Sequence, residues 1–432
     1  MFPALIVDTG TTDAGAPRGG GVRTEMVRRH NLALLAAAAV TSVDPRCRAD
    51  LAQATGLNRS TVTRLIEHLI THGILVERGT RSQGSGRPSV PLHPAPHTHV
   101  AIGAEITSDA FEVCVVDLTG AILSEHYEEL PQSRRGSESV LDHVGATFAR
   151  LAQQIKAAQM NLVGIACGIP GLLNRAQGKL LAAPNLGWWD VDVLSQVRPH
   201  VAPDVSLVFD NSATLAAFAE RMARRRSDRP IDDFVYVTGS TGLGSALVRN
   251  GEIVTGSRGW AGELGHIVVT DSHAPCSCGA TGCLETVVGR QALLTAAGLD
   301  ARTPVGKLFA ALHRNDRRAL QAVHNAGVHL GRGLAAYLNL CDSPAVVLGG
   351  LLEQLFPHIE EPLRRELASR QLSSRWAPTE ISRAIAGPHA VSVGAGWRVL
   401  LSFLNDPDRW REPAPEALAY YSVTETPETV IT

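Results

Sequence analysis

The sequence predicts an α/β protein in which a small N-terminal helical unit precedes a larger body with an internal duplication. Two sets of short apolar runs carry this prediction, because each reads as three consecutive strands. The first set lies at 100–105, 111–116 and 121–123, and the second at 234–238, 244–248 and 251–254. Apolar residues repeat with helical spacing in four further stretches, at 140–158, 213–225, 317–338 and 393–404. We therefore expect two related lobes, each built from a β-hairpin sheet and helices.

Length and composition limit the possible classes of protein. A chain of 432 residues is expected to form two or three domains, and its 44% hydrophobic and 19% charged residues are typical of globular proteins. No apolar run approaches the roughly 20 residues that span a bilayer. Residues 1–21 lack the basic start and apolar core of a secretory signal. These observations predict a cytoplasmic protein without a membrane partner.

Changes in composition suggest the domain boundaries. The predicted parts are a disordered leader (1–22), a first unit (23–92), a body of two lobes (98–405, with the lobe boundary near 212–232) and a flexible tail (406–432). A proline- and histidine-containing stretch at 91–97 is interpreted as a linker between the first unit and the body.

Charge is distributed unevenly between the first unit and the body. Residues 22–91 contain ten arginines against five acidic residues, although the whole chain has a net charge of −2. A basic unit on an acidic body indicates an anionic partner at one end. A basic solvated surface would give the same count, so the charge alone does not decide.

Residues 49–66 have the pattern of a helix-turn-helix. Ala52 is small enough for a second helix to cross close to it, Gly56 permits the tight turn, and Asn58 is a favourable N-cap. Four apolar residues then repeat with helical spacing and predict a buried face: Val62, Leu65, Ile66 and Leu69.

The remaining positions of the second helix predict a DNA-contact surface. Five polar side chains near its N-terminus are candidates for base and phosphate contacts: Arg59, Ser60, Thr61, Thr63 and Arg64. Downstream, 74–78 and 84–92 are interpreted as two strands around a flexible loop, the wing of a winged helix. Arg87 in that loop is suited to a narrow minor groove. The alternative is a small helical packing unit without DNA contacts.

A cysteine cluster predicts a metal centre. Three of the seven cysteines, Cys276, Cys278 and Cys283, lie within eight residues, and His266 precedes them by ten. Three thiolates and one imidazole form a tetrahedral zinc set, and four protein ligands leave no open position for a reactive water. The predicted role of the zinc ion is therefore structural. Unliganded thiols or a disulfide are the alternatives.

The motif Gly262-Glu263-Leu264-Gly265-His266, followed by Cys276-x-Cys278-Gly279-x-x-Gly282-Cys283-Leu284-Glu285, closely resembles the signature of the ROK family (repressors, open reading frames and sugar kinases). The resemblance covers about 98–405. It implies an actin-like, ribonuclease H-like ATPase fold with a sugar cleft between two lobes. The added winged helix is similar to that of the family's branch of xylose and N-acetylglucosamine repressors.

By this resemblance, the sugar contacts would fall on Asn185, Asn211, Glu263, His266 and Glu285. The stretch 209–217 resembles the kinase motif E-N-D-A-N-A-A-A, whose Asp takes a proton from the sugar hydroxyl. Ser212 occupies that position. A serine hydroxyl is not a general base near neutral pH unless a second base activates it.

The nucleotide side departs from the family pattern as well. Where the family has G-x-D-x-G-G-T, residues 103–109 read Gly-Ala-Glu-Ile-Thr-Ser-Asp. Both loop glycines are lost, and Asp109 stands where a threonine would bind phosphate. The second loop (241–244) is better preserved, but Ala246 replaces a later glycine, and the adenosine-loop resemblance at 348–350 is weak. We therefore expect no ATP binding and no enzymatic activity.

The leading prediction is a transcription regulator, more specifically a repressor, that binds a palindromic double-stranded DNA operator as a homodimer or homotetramer. A sugar or sugar phosphate would be its effector, and zinc its structural cofactor. One alternative is a regulator that is blind to sugars or controlled by a protein partner. The other is an active sugar kinase fused to a DNA-binding unit.

Overall fold

The computed structural model describes residues 20–79, 90–130, 136–228 and 230–413. The N-terminal unit consists of α1 (Gly20–Val40), α2 (Arg48–Thr55), α3 (Arg59–Thr71), β1 (Leu75–Glu77) and β2 (Leu92–Pro94). The predicted helix-turn-helix is confirmed: Gly56 ends α2 at a φ of 72°, and Asn58 Oδ1 accepts the Thr61 backbone N–H at 2.8 Å. The loop of the predicted wing, at 80–89, lies outside the described residues.

The first lobe is built on a five-stranded sheet. Its elements are β3 (His99–Ile106), β4 (Ala110–Asp117), β5 (Ile122–Glu129), α4 (Ser137–Ala157), β6 (Asn161–Ile169), β7 (Leu172–Asn174), β8 (Lys179–Ala183), β9 (Trp188–Val191), α5 (Val193–Val197) and β10 (Ser206–Asn211). The sheet order is β10-β6-β3-β4-β5, and β7, β8 and β9 form a separate three-stranded sheet.

The second lobe repeats the topology of the first. Its strands are β11 (Phe234–Gly239), β12 (Leu243–Arg249), β13 (Glu252–Val254), β14 (Ala345–Gly350) and β15 (Glu380–Arg383). Its helices are α7 (Glu285–Val288), α8 (Arg290–Ala296), α9 (Gly306–His313), α10 (Arg317–Cys341) and α11 (Leu351–Arg370). Two further helices, α6 (Ser212–Arg225) and α12 (Ala390–Leu404), lie between the lobes. The sheet order β13-β12-β11-β14-β15 matches that of the first lobe. In each sheet, the three strands that come first in the chain pair with one another antiparallel, and the two later strands are added in parallel. The predicted duplication is therefore confirmed. None of the described helices is both long and apolar enough to cross a membrane.

Helices α6 and α12 lie between the two lobes. Leu215 of α6 belongs to an apolar cluster that includes Trp397 of α12, whereas Ala216 packs with Tyr236 of the second sheet. The approach of α12 to the first sheet is very close, because a Cβ atom on Gly103 would lie 1.9 Å from the Ser392 carbonyl oxygen. The lobes therefore share an apolar hinge made of two helices.

The N-terminal unit shares one apolar core with the body. Leu35 of α1 and Leu65 of α3 belong to the same buried cluster as Leu400 of α12. The structure thus differs from the predicted linker at 91–97, part of which forms β2 and pairs with β1. Composition indicated a linker because prolines and histidines are common in exposed segments, but burial here depends on tertiary contacts.

At both ends of the described region, ordered structure extends into segments that were predicted to be a disordered leader and a flexible tail. Helix α1 begins at Gly20, inside the predicted leader. The segment 406–413 falls in the predicted tail, yet Trp410 is buried and its Nε1–H donates to the Phe403 carbonyl at 2.9 Å. Asp408 pairs with Arg29 and Arg409 donates to the Val163 carbonyl, so this polar segment is bound to both the N-terminal unit and the first lobe.

His99 lies at the junction between the N-terminal unit and the body. Its side chain is fully buried; Nε2 lies 2.7 Å from the His72 carbonyl oxygen and Nδ1 lies 2.9 Å from Asn161 Nδ2. This pattern fits a neutral imidazole that donates from Nε2 and accepts at Nδ1. Burial lowers the pKa of His99 to about 4, although the bond to His72 acts in the opposite direction.

This lowered pKa predicts acid sensitivity at the junction. Between pH 6.5 and 4 the unfolded chain binds a proton at His99 that the folded chain does not, so stability falls as the pH drops through this window. Between pH 6.5 and 4, we expect the free energy of unfolding to fall by about 3 kcal/mol less in His99→Gln than in the wild type. Urea unfolding of the full chain across this pH range measures the effect, with the exposed His313→Gln as control. Parallel curves for wild type and His99→Gln would contradict this assignment.

Candidate ligand cleft, metal centre and DNA-contact helix

Helix α3 divides into a buried face and an exposed face. The predicted apolar residues Val62, Leu65, Ile66 and Leu69 are all buried. Of the candidate DNA contacts on this helix, Arg59, Ser60, Thr63 and Arg64 are exposed and Thr61 is half-buried. Within the part of the chain that the structure describes, neither Arg59 nor Arg64 forms an ion pair. Arg87 lies outside the described residues.

The orientation of α3 is fixed by a charged side chain from the neighbouring helix. Arg48 at the start of α2 contacts Glu67 on α3, with 2.5 Å between the two groups, and also pairs with Glu77 on β1. One guanidinium thus joins three elements of the unit. The exposed arginines of α3 are therefore presented by a braced helix.

The Cys-rich loop brings its four predicted metal ligands together. The donor atoms of His266, Cys276, Cys278 and Cys283 all lie within 4.8 Å of one another. Cys276 Sγ is 3.7 Å from His266 Nδ1, and Cys278 Sγ is 3.9 Å from Cys283 Sγ. These separations are close to the edge of about 3.8 Å expected for a tetrahedron of sulfurs around zinc, and far from the roughly 2 Å of a disulfide. The residues therefore fit a four-coordinate metal ion.

The same centre positions a carboxylate at the cleft. While Nδ1 of His266 faces Cys276, its Nε2 lies 3.9 Å from Glu263 Oε2. Desolvation raises the pKa of Glu263, with His266 acting in the opposite direction and Glu285 adding to the rise. The carboxylate still keeps 41% of its side-chain surface exposed. Glu263 thus lies beside a predicted metal ligand and remains accessible to solvent.

Glu285 and Asn185 meet across the two lobes. Oε2 of Glu285 accepts the Leu243 backbone N–H at 2.9 Å and the Asn185 side-chain amide at 3.2 Å. Gly242 leaves room for this contact, because a Cβ atom there would lie 2.2 Å from Glu285 Oε2 and would displace the carboxylate. This contact draws the second glycine loop toward the Cys-rich loop.

Asn211 is engaged at the start of α6. Its Oδ1 accepts the backbone N–H groups of Ala213 and Thr214 at 2.9 and 3.2 Å, and its Nδ2 donates to the Gly171 carbonyl at 3.0 Å. Because the oxygen is used by the helix, only one N–H remains for a ligand. The predicted sugar contact at Asn211 is therefore also the N-cap of α6.

Ser212 occupies the first turn of α6 beside a buried acid. It is 8% exposed, and its Oγ has no partner that satisfies the distance and angle of a hydrogen bond. Burial and the nearby Glu112 raise the pKa of Glu105 to about 8, and the Ser212 hydroxyl partly offsets this rise. In the sequence, Glu105 is only one residue of the altered first loop. Its position opposite Glu112 on the next strand is seen only in the register of the sheet.

The degraded phosphate loop satisfies its own hydrogen bonds. Thr107 Oγ1 accepts the backbone N–H groups of Asp109 and Ala110 at 3.3 and 3.0 Å. Ser108 Oγ lies 2.6 Å from Thr241 Oγ1 of the second loop, and Asp109 forms an ion pair with Arg290. Groups that would face a nucleotide phosphate thus bind one another, and an acid–base pair closes the gap between the lobes.

The structure brings four of the five predicted ligand residues together around the Cys-rich loop. Glu263 lies beside His266, and Asn185 of the first lobe contacts Glu285, whereas Asn211 caps α6 and contacts Gly171. A cavity of about 660 Å³ lies elsewhere, where Val269 of the loop after His266 faces Arg332 and Asn339 of α10. Because none of the five predicted residues lines it, we do not assign it to the ligand.

Comparison with known proteins agrees with both parts of the chain. The ROK family model matches residues 101–400, and the model of the IclR helix-turn-helix domain matches residues 47–79. The xylose repressor of Bacillus subtilis (strain 168) is 28% identical over 362 residues, covering 84% of this chain and 92% of that protein.

Two further matches, a kinase and a regulator, cover different shares of this chain. A glucokinase of Halalkalibacterium halodurans is 26% identical over 316 residues, covering 69% of this chain and 94% of that enzyme. The crystal structure of a ROK family transcriptional regulator, a homolog of the E. coli MLC protein, has a TM-score of 0.72 at 21% identity, covering 88% of this chain and 97% of that one. The regulators therefore match more of this chain than the kinase does.

Proposed function

Because this chain belongs to the ROK family, we propose that it is a DNA-binding transcription repressor whose cleft responds to a sugar or sugar derivative. The observation that carries this proposal is the pair of exposed arginines on α3, in a helix-turn-helix that shares a core with the ROK body. A kinase has no need of such a unit, and the similar glucokinase is matched over 69% of this chain, against 84% for the xylose repressor. Because a repressor acts on DNA, we propose that the protein is cytoplasmic.

The DNA contacts follow from the exposed face of α3. Arg59 and Arg64 can reach guanine edges or phosphates, while the hydroxyls of Ser60 and Thr63 already donate locally, to Asn58 Oδ1 and the Arg59 carbonyl. The two arginines should therefore contribute more than the hydroxyls and Thr61. Arg87 remains our proposed minor-groove contact.

Palindromic operators require a symmetric assembly, and we propose a homodimer or a homotetramer. An exposed apolar patch supports this. Leu340, at the end of α10, and Leu372 and Trp376, after α11, are 86%, 82% and 79% exposed. The Leu372 N–H donates to Asn339 Oδ1 at 2.9 Å, which joins the segment after α11 to the end of α10. Patches of this kind commonly mark interaction surfaces.

We propose that the cleft no longer phosphorylates its ligand. Ser212 supplies no carboxylate at the base position, the loop amides of Asp109 and Ala110 are used by Thr107, and Asp109 stands in place of a phosphate-binding threonine and pairs with Arg290. Phosphoryl transfer depends on all three of these features. An assay of ADP release with a panel of hexoses that showed turnover would overturn this part of the proposal.

The binding of a sugar is proposed on Glu263, His266 and Glu285, with Asn185 and Asn211 from the other lobe. Carboxylates, imidazoles and amides suit vicinal hydroxyls because they form directional hydrogen bonds with them. One observation favours a regulator that is blind to sugars, namely that the amides of Asn185 and Asn211 already have protein partners. Calorimetry with pentoses, hexoses and hexosamines separates the two functions, since only the first gives a binding heat.

Helix α6 provides a direct connection between the cleft and the DNA-binding unit. It begins at the Asn211 cap and ends at Arg226, whose guanidinium donates to the carbonyls of Val40 in α1 and Thr119, each at 3.0 Å. A sugar that displaces the cap would therefore shift an element that contacts the N-terminal unit. We propose this helix as the route by which the effector weakens DNA binding.

We propose zinc as the ion of the Cys-rich centre. Thiolate and imidazole ligands in a closed tetrahedral set are typical of structural zinc sites. Burial raises the pKa of Cys283 to about 12, so the thiolate needs a cation to stabilise it at neutral pH. The ion would fix the loop that carries Glu263 and Glu285.

Removal of one ligand tests the structural zinc. We expect Cys278→Ser to lower the bound zinc by one equivalent per chain and to lower the thermal midpoint, because a structural ion contributes folding energy. Mass spectrometry of the metal content and thermal unfolding measure the two effects. Cys341→Ser, outside the cluster, should change neither. An unchanged metal content in Cys278→Ser would exclude this ligand set.

The recognition helix is tested with operator fragments selected from sheared genomic DNA. We expect Arg59→Ala and Arg64→Ala each to weaken binding by about 10-fold or more, and to reduce the slope of log affinity against log salt by about one. Fluorescence anisotropy at several salt concentrations measures both. Arg302→Ala, an exposed charge in the second lobe, is the matched control. Equal affinities in all three variants would show that α3 does not contact DNA.

The coupling route is tested at Arg226. In the wild type, a sugar identified by calorimetry should weaken operator binding by about 5-fold to 150-fold, the usual range of allosteric coupling. Arg226→Met keeps an apolar stem but loses both bonds, so the sugar effect should fall to about 2-fold. Arg225→Met is the control, because Arg225 faces Asp232 instead. An unchanged sugar effect in Arg226→Met would place the route elsewhere.

A further inference from the structure

A second cluster of metal-ligand side chains lies in the first lobe. The donor atoms of Glu112, Cys114 and His389 all lie within 4.8 Å of one another. None of these residues belongs to the Cys-rich centre or to the predicted ligand cleft. The cluster is therefore a separate feature that the proposed function does not use.

The fold brings the three residues together from distant parts of the chain. Glu112 and Cys114 are two residues apart on β4, so their side chains share one face of the sheet. His389 is the residue that precedes α12. Gly103 lies opposite Cys114 in the register, and its missing side chain lets the N-terminus of α12 descend onto this face.

The imidazole of His389 has the environment of a metal ligand. Its Nε2 lies 2.9 Å from Glu125 Oε2, and its Nδ1 lies 3.3 Å from Glu112 Oε2. The Nδ1 atom is buried and forms no hydrogen bond with any residue that the structure describes. Metal-bound histidines commonly donate from one nitrogen to a carboxylate and turn the lone pair of the other toward the ion. Glu112 has a similar support, since Ser392 Oγ donates to its Oε1.

The charges of the cluster do not balance. Glu112 and Glu125 face the single imidazole of His389, and no lysine or arginine within the described ranges forms an ion pair with either carboxylate. The Glu112 side chain is only 18% exposed, and removing a carboxylate from water without a compensating cation is costly. A bound divalent cation would supply the missing positive charge.

We propose that Glu112, Cys114 and His389 bind a divalent transition-metal ion, with Zn²⁺ as the expected one. Sulfur and nitrogen donors disfavour Mg²⁺ and Ca²⁺, which prefer oxygen ligands. Glu125 acts as a positioning residue, because it orients the imidazole without being a ligand. Three protein donors leave the fourth position to water or a small ligand.

The test is the zinc stoichiometry of the full chain, measured without DNA or sugar. The metal-free protein is titrated with Zn²⁺, and the wild type should bind one ion at each of the two clusters. Cys114→Ser and His389→Gln should each lose one equivalent, as should Cys283→Ser at the other centre. Cys114→Ser combined with Cys283→Ser should lose both. Cys167→Ser, a buried cysteine on β6, should behave like the wild type.

Cobalt gives a second measurement that does not depend on stability. Co²⁺ bound by a thiolate absorbs in the near ultraviolet, so Cys283→Ser should keep a sulfur–cobalt band that disappears when Cys114→Ser is added. Glu125→Gln should keep the band with about 10-fold to 100-fold weaker affinity. If Cys114→Ser fails to fold, Glu112→Gln takes its place. A wild type that binds one zinc ion, all of it lost in Cys283→Ser, would overturn the proposal and leave an ion-pair network, whatever the outcome for DNA binding.

Discussion

The half-buried guanidinium of Arg226 is the constraint on which the arrangement of the molecule depends. It closes the C-terminus of α6, donates to the carbonyls of Val40 at the end of α1 and of Thr119 in the turn after β4, and lies 5.0 Å from the ring of Trp397 on α12. Desolvation lowers the pKa of Arg226, with Asp117 acting in the opposite direction. A partly desolvated cation loses stabilising free energy when its acceptors move beyond hydrogen-bond distance. The DNA-binding unit, α6 and α12 must therefore keep their relative positions, or else move together.

This constraint explains why the N-terminal unit is not an independent module on a flexible tether. Its core continues into α12, and Trp410 covers the junction from the C-terminal side. Thr98 strengthens the seam by donating to the Gly73 carbonyl at 2.7 Å. Because the contacts are apolar and buried, a change in α12 or α6 reaches the helix-turn-helix through packing and needs no long-range electrostatic effect.

The features that could be predicted from the sequence are those fixed by neighbouring residues. Gly56 and Asn58 define the turn and cap of the helix-turn-helix within a few positions, and the Cys-rich loop contains three of its four donors in eight residues. The packed linker and the burial of Trp410 could not be predicted, because they depend on surfaces formed far away in the chain. The same holds for Glu112 and His389, which meet only after α12 packs on the first sheet.

The two lobes meet through contacts of different kinds at the hinge and at the mouth of the cleft. The hinge is apolar, made by Leu215 and Ala216 of α6 and by α12. The mouth is polar: Ser108 meets Thr241, Asn185 meets Glu285, and Trp260 Nε1 donates to the Leu173 carbonyl at 3.0 Å. Each such bond contributes only about 1 kcal/mol net, since water can replace it. A small polar ligand that exchanges these bonds for its own can therefore change the closure of the mouth, and the apolar hinge of α6 and α12 can transmit that change to the DNA-binding unit without coming apart.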